Sequence, residues 1–142
     1  MRPMRVMALD IGEKRVGVAI SDPLGRVASP VCVLPFPEVI SAAKSWRRVL
    51  EDWEPEALLC GLPLTLAGEE GPQAERIKAA ARAIAQAADV PLHFADERLS
   101  SAEAKRSLRD LGYDEARMRG KIDMVAASLF LQAWLDARNT QQ

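Results

Sequence analysis

The chain has 142 residues, of which 49% are hydrophobic and 27% charged, with a formal net charge of −1. This length suits one globular domain over residues 1–142 with a real core, and no apolar run approaches the roughly 20 residues of a membrane span. Two cysteines and a single histidine exclude a disulfide framework, a Cys/His zinc site and histidine-based nucleophilic catalysis, which leaves carboxylates, hydroxyls, Lys and Arg to carry any chemistry.

The first apolar run, residues 5–11, predicts a strand ending in "MALDIG". The run is cut at Asp10, and it lacks the apolar core and cleavage site of a signal peptide, so a cytoplasmic protein is expected. "RVGVAISD", 15–22, sets Val16, Val18 and Ile20 against Gly17, Ala19 and Ser21, the alternation of a second strand. After a turn at Asp22–Gly25, "GRVASPVCVL", 25–34, predicts a third, with Pro30 marking an edge or a bulge. Tight turns between these three make them antiparallel. The period then changes: Val39, Ile40, Ala43, Trp46, Leu50 and Trp53 share one helical face, which Pro55 ends. "EALLCGLP", 56–63, reads as a buried strand, followed by a loop over 63–72 and the helix "PQAERIKAAARAIAQAA". "VPLHFADE", 90–97, is the fifth strand. Ser100 and Glu103 form a capping box for a helix over about 101–111, stopped by Gly112. A last helix begins near Lys121, and its charged end from Asp136 to Gln142 is expected to fray. Helix-separated strands favour parallel neighbours, so the pattern predicts an α/β fold: a mixed five-stranded sheet, three antiparallel strands then two parallel, with helices on both faces.

Asp10 poses the chemical question. A carboxylate at the end of a core strand must be neutralised, paired or bound to a cation. Asp96 and Glu97 end the fifth strand, and Asp123 lies in the first turn of the last helix. If strands one and five run parallel, their carboxyl ends share the rim where open α/β sheets place ligands. Carboxylates that converge there repel, so such a cluster makes sense around divalent cations. Two metals held by carboxylates are a known solution for phosphodiester hydrolysis. Each acid alone also has an ordinary use: Asp10 and Asp96 in turns, Asp123 against the helix dipole.

The charge is unevenly spread. Arg98 to Lys121 holds seven basic side chains (Arg98, Lys105, Arg106, Arg109, Arg117, Arg119, Lys121) against four acids, a local balance of +3. That is either a phosphate footprint or a solvated helix face. The glycines of the 63–72 loop could admit a phosphate, but no GK[ST] sequence follows them, and a plain connecting loop is the simpler reading.

Four blocks, "ALDIGEKRVGVAISDP", "CGLPLTLAGEEG", "ADERLSSAEA" and "GKIDMVAASLFLQAWLD", occur in this order over residues 8 to 136. Together they resemble the YqgF/RuvX family of small bacterial proteins. The resemblance implies a ribonuclease H-like fold related to the RuvC-type junction resolvases, and a Mg²⁺- or Mn²⁺-dependent nuclease. The favoured role is processing of pre-16S ribosomal RNA; the alternative is resolution of Holliday junctions. By position, the family's acids fall on Asp10, Glu97 and Asp123, with Asp96 adjacent as a further metal ligand. Lys14, Arg15 and Arg98 match basic positions that meet phosphates. The chain departs from the family at Thr65, Leu66 and Ala67, where Asn or Asp is common.

The implied partners are structured RNA or branched DNA, with no membrane and a monomer or weak homodimer. A non-catalytic RNA-binding or transcription factor on the same fold is the competing class. The low aromatic content of 5% argues against stacking-based single-strand binding in either case. "DIGEKRVGVAISD" is also similar to the first phosphate loop of actin-like ATPases, but those need two lobes.

Overall fold

The computed structural model describes residues 3–65, 67–98 and 100–140. Three strands open the chain: β1 (Val6–Ile11), β2 (Arg15–Ser21) and β3 (Ala28–Pro35). Two short helices follow, α1 (Phe36–Ile40) and α2 (Lys44–Trp53), then β4 (Ala57–Leu62), α3 (Pro72–Ala88) and β5 (Leu92–Asp96). The chain closes with α4 (Ser100–Asp110), α5 (Glu115–Met118) and α6 (Ile122–Thr140). The sheet order is β3-β2-β1-β4-β5. β1 pairs antiparallel with β2, and β2 with β3; β1 pairs parallel with β4, and β4 with β5. This is the mixed sheet that the sequence predicts.

The strand period of two divides the core. Met7, Leu9, Ile11, Val16, Val18, Ile20, Leu58, Cys60 and Leu62 face one side, where Val39, Trp46, Ile77, Ala81 and Ile84 of α1 to α3 cover them. Val6, Ala8, Ala19 and Leu59 face the other side, packed under Ala127, Phe130, Leu131 and Leu135 of α6. α4 packs against α6 in turn. Among the described residues, no helix is long and apolar enough to cross a membrane.

Several boundaries differ from the sequence expectation, each for a local reason. β3 begins at Ala28, not residue 25, because Asp22 holds the preceding loop: its Oδ1 accepts from the Arg26 and Val27 amides at 2.7 and 2.9 Å. Pro30 does sit on the edge strand, beside a register shift opposite Val18 and Ala19. The single helix expected through Val39–Trp53 is two, broken where Ala42 adopts a φ of 54°; the Ser45 hydroxyl, bonded to Glu38 at 2.5 Å, ties the pieces together. The one-turn helix α5 was not expected; Asp114 caps it by accepting from the Arg117 amide at 2.9 Å.

The last helix does not fray from Asp136. It continues to Thr140, because Asn139 donates to the Gly25 carbonyl at 3.2 Å and Thr140 to the Asp136 carbonyl at 2.7 Å. Residues 141 and 142 lie outside the described residues, as does the Ser100 side chain of the expected capping box.

Candidate active site

Asp10 follows Ala8 on the α6 face of β1, where the alternation would otherwise place an apolar side chain. Its antiparallel partner on β2 is Gly17. On β4, one step beyond the Leu9–Cys60 pair, stands Gly61. The two glycines are what the site needs most from the backbone. A Cβ on Gly17 would lie 2.1 Å from the carbonyl carbon of Asp123 and 2.6 Å from the Met124 amide nitrogen. The first turn of α6 therefore rests directly on β2, and only glycine admits it. A Cβ on Gly61 would lie 2.6 Å from Glu97 Oε2 and 2.8 Å from Phe130 Cε2. Glu97 itself is turned back over the sheet end by its amide, which donates to the Leu62 carbonyl at 3.2 Å.

The result brings Asp10, Glu97 and Asp123 from three distant segments to one end of the α6 face. The Asp10 and Glu97 side chains are hydrogen-bonded to each other. Burial first, then the Glu97 charge and hydrogen bond and the charge of Asp123, push the Asp10 carboxyl up to about 8. Glu97 is raised as well, by burial and by the charges of Asp96 and Asp123, against the hydrogen bond from Asp10, which lowers it. The hydrogen bond raises Asp10 and lowers Glu97, so Asp10 is the donor and holds the proton that the pair shares. Asp123 meets a cation instead, with Arg15 Nε 3.3 Å from its Oδ2. Gly12, Glu13, Lys14, Arg15 and Asp123 line an open cavity of about 290 Å³ beside this pair.

The other expected site residues behave differently. Asp96 continues the Leu92–Phe94 alternation, so it falls on the face away from α6. Its carboxylate is occupied: Arg98 donates from its amide at 2.9 Å and from Nε at 2.8 Å, and its Nη2 lies 2.7 Å away. Those bonds hold Asp96 below the usual carboxylate range. Arg98 also donates to the Thr65 carbonyl at 3.3 Å, so it anchors the 63–72 loop to the end of β5. Lys14 is exposed in the β1–β2 turn, where its carbonyl accepts from the Phe36 amide at 2.8 Å. The sequence marks Gly61 only as a place where backbone could approach a ligand, and does not mark Gly17 as a site residue. The signal was present in β2, where the small residues Gly17, Ala19 and Ser21 alternate with large ones.

The donor set at the cluster is all oxygen, the set that hard divalent cations take. Among the described residues, no three acidic, cysteine or histidine side chains already stand close enough to hold one ion. The proton between Asp10 and Glu97 and the Arg15 contact on Asp123 occupy the carboxylate oxygens instead. Both are exchangeable for a cation: the first carries a raised carboxyl, the second is a 3.3 Å contact with an Arg15 side chain that is 55% exposed. The residues fit a divalent metal in chemistry, because carboxylates that raise one another toward protonation are relieved by a cation.

The family model described as RuvX, Holliday junction resolvase, matches residues 4–137. A protein of Roseiflexus sp. (strain RS-1), named "Putative pre-16S rRNA nuclease", is 41% identical over 136 residues, covering 96% of each chain. One of the same name from Chloroflexus aurantiacus is 40% identical, covering 99% of this chain and 92% of its own. In fold, the chain is similar to Thermus thermophilus RuvC in complex with a Holliday junction substrate, with a TM-score of 0.54 at 16% identity over 96% of each chain. It is also similar to the fowlpox virus resolvase bound to junction DNA, with a TM-score of 0.54 at 12% identity over 95% and 99%. The sheet and its helices are therefore those of the ribonuclease H-like resolvases.

Proposed function

Since the chain belongs to the RuvX family, we propose that it is a divalent-metal-dependent nuclease of the cytoplasm, one domain that cleaves phosphodiester bonds of pre-16S ribosomal RNA. The name carried by its 40–41% identical relatives supports the substrate. The observation that carries the site is the meeting of Asp10, Glu97 and Asp123 over Gly17 and Gly61.

In this reading Asp10, Glu97 and Asp123 hold Mg²⁺ or Mn²⁺. A divalent cation held there would supply Lewis acidity for water activation and for charge on the leaving oxygen. The chain's own residues do the rest. Asp10 gives up its shared proton when the site loads. Gly17 fixes the height of Asp123 over the sheet, and Gly61 leaves room for the Glu97 carboxylate. Arg15, released from Asp123, and Lys14 beside it stand at the mouth of the cavity, placed to meet substrate phosphates. Arg98 is a phosphate contact only in part, since Asp96 and Thr65 already engage it. Asp96 does not belong to the metal set.

The test is incubation of the pure protein with labelled pre-16S RNA and with a four-way DNA junction. Mg²⁺ or Mn²⁺ should support RNA cleavage and Ca²⁺ should not. Robust cleavage in chelator would contradict the metal mechanism. Junction resolution is the second reading, favoured by the likeness to RuvC. It requires paired, symmetric cuts and hence a dimer, whereas RNA trimming requires only a monomer. Symmetric junction cutting without RNA cleavage would select the second.

A further inference from the structure

The basic segment between Arg98 and α6 contains a feature that the nuclease reading has not used. Gly112, with a φ of 91°, ends α4 and turns the chain. Tyr113 follows, its amide bonded to the Leu108 carbonyl at 3.0 Å. Two cations then settle on the Tyr113 ring: the Arg117 guanidinium 4.8 Å from its centroid, and the Lys121 ammonium at 5.7 Å. Arg117 belongs to α5 and Lys121 to the turn before α6, yet the two positive charges share one ring and repel each other there. Neighbouring acids could have relieved this and do not. Asp114 spends its carboxylate on the Arg117 amide, and Glu115 lies 3.8 Å from Arg109. Among the described residues, no carboxylate pairs with Arg117 or Lys121.

The ring's negative face compensates two such charges only in part. A solvated helix face would let the two side chains spread apart, and a purely structural stack needs one cation. Two held together want an anion that both can reach. Placement says which one. Lys121 accepts from the Val125 amide at 3.1 Å, so it is built into the start of α6, two residues before Asp123. Residues that close cannot have Cα atoms more than about 7 Å apart, and phosphates follow one another at a rise of roughly 3.4 Å along a helical strand. Resting on the nuclease reading, we propose that Tyr113, Arg117 and Lys121 form a clamp for backbone phosphates of the RNA strand, within a few nucleotides of the bond cut at the acidic site. Arg117 and Lys121 supply the charge; Tyr113 is a positioning residue that holds them together before substrate arrives.

The test uses a 5′-labelled RNA hairpin carrying the pre-16S cleavage region. Binding is measured against salt in the Asp10→Asn background, and steady-state cleavage in the unsubstituted one. The Arg117→Gln/Lys121→Gln double variant should bind with a salt slope shallower by about 1.5, two phosphate contacts fewer, and should raise KM while kcat holds. Tyr113→Leu keeps both charges, so its slope should stay and its KM should rise; Tyr113→Phe should restore the unsubstituted KM. An unchanged slope in the double variant, with the thermal midpoint intact, would overturn the clamp and leave the nuclease reading standing. A Tyr113→Leu variant that melts lower at unchanged KM would overturn the positioning role. An unsubstituted chain that neither binds nor cuts the hairpin would overturn the nuclease reading, and the clamp with it.

Discussion

The two faces of the sheet share their strands and hold opposite contents. Under α1 to α3, β1 offers Met7, Leu9 and Ile11, β2 offers Val16, Val18 and Ile20, and β4 offers Leu58, Cys60 and Leu62, all buried. Under α6, the same strands offer Val6, Ala8 and Asp10, then Gly17, Ala19 and Ser21, then Leu59 and Gly61. The first face is filled by side chains and stabilises the fold. The second is filled near its end by helix backbone and carboxylates, and it carries a cost. Asp96 and Glu97 show the same contrast across one peptide bond. The hydrogen bonds and charge of Arg98 keep Asp96 low, while burial raises Glu97. A protein places ionisable groups against its own stability where function requires it, so the α6 face is where substitutions should separate stability from chemistry.

The largest separation is expected at Asp10. Asp10→Asn should lower cleavage by about 100-fold or more, taking the loss seen for groups that merely support a metal as a floor. The metal-free variant should nevertheless melt at or above the unsubstituted protein near pH 8, because a buried charge has been removed. RNA cleavage and scanning calorimetry in chelator read the two effects. A variant that melts lower and cuts normally would make Asp10 a turn residue and erase the contrast between the faces.

Gly17→Ala should come next. Its methyl would fall 2.1 Å from the Asp123 carbonyl carbon, so α6 must move. Overpacking of this kind costs about 1–3 kcal/mol, and cleavage should fall with it because Asp123 shifts. Leu58→Ala on the other face should cost about 2–5 kcal/mol, yet leave cleavage per folded molecule unchanged. Denaturant unfolding paired with active-site titration tests both.

These two positions also show what the sequence could and could not disclose. The apolar face was legible because the period of two in β1 and β2 repeats large residues without interruption. The acids were legible as interruptions: Asp10 ends a core strand, and Asp123 opens an apolar helix. Their convergence followed once β1 and β5 were taken as parallel. The glycines showed in the sequence only as small residues in β2 and at the end of β4; what each makes room for is visible only when another segment occupies the space. The role of Asp96 was out of reach for a related reason. Its adjacency to Glu97 suggested a shared site, but β5 ends at Asp96, the chain turns at Glu97, and Arg98 two residues later binds the Asp96 carboxylate. The break at Ala42 has no glycine or proline to announce it.

The third expectation concerns pH and sharpens the contrast between the two acids. In metal-free protein the Asp10 carboxyl rises from 3.8 to about 8, so across that interval the folded state binds protons that the unfolded chain has lost. The stabilisation this gives is complete below about pH 4 and is lost as pH climbs to about 8. Asp96 has the opposite sign: its lowered carboxyl contributes above its ordinary value and fails only on acidification. Unfolding in chelator from about pH 5 to 9 should show falling stability, and Asp10→Asn should flatten the slope. A slope that rises with pH would deny the raised pair.

The smallest effect is expected at Asp96. Its side chain is 40% exposed, so Asp96→Asn should change stability by about 0.5 kcal/mol or less and leave cleavage and metal response in place. Loss of the metal response in this variant would return Asp96 to the ligand set.

One measurement bears most directly on the claim that the α6 face is built for a cation. Mn²⁺ is titrated calorimetrically into the metal-free protein at pH 7, in two buffers of different ionisation enthalpy. With Asp10 raised to about 8, loading the site must expel the proton it shares with Glu97, so binding should release about one proton per chain, and Asp10→Asn should abolish the signal. Binding with no proton release, or binding that survives Asp10→Asn unchanged, would contradict it.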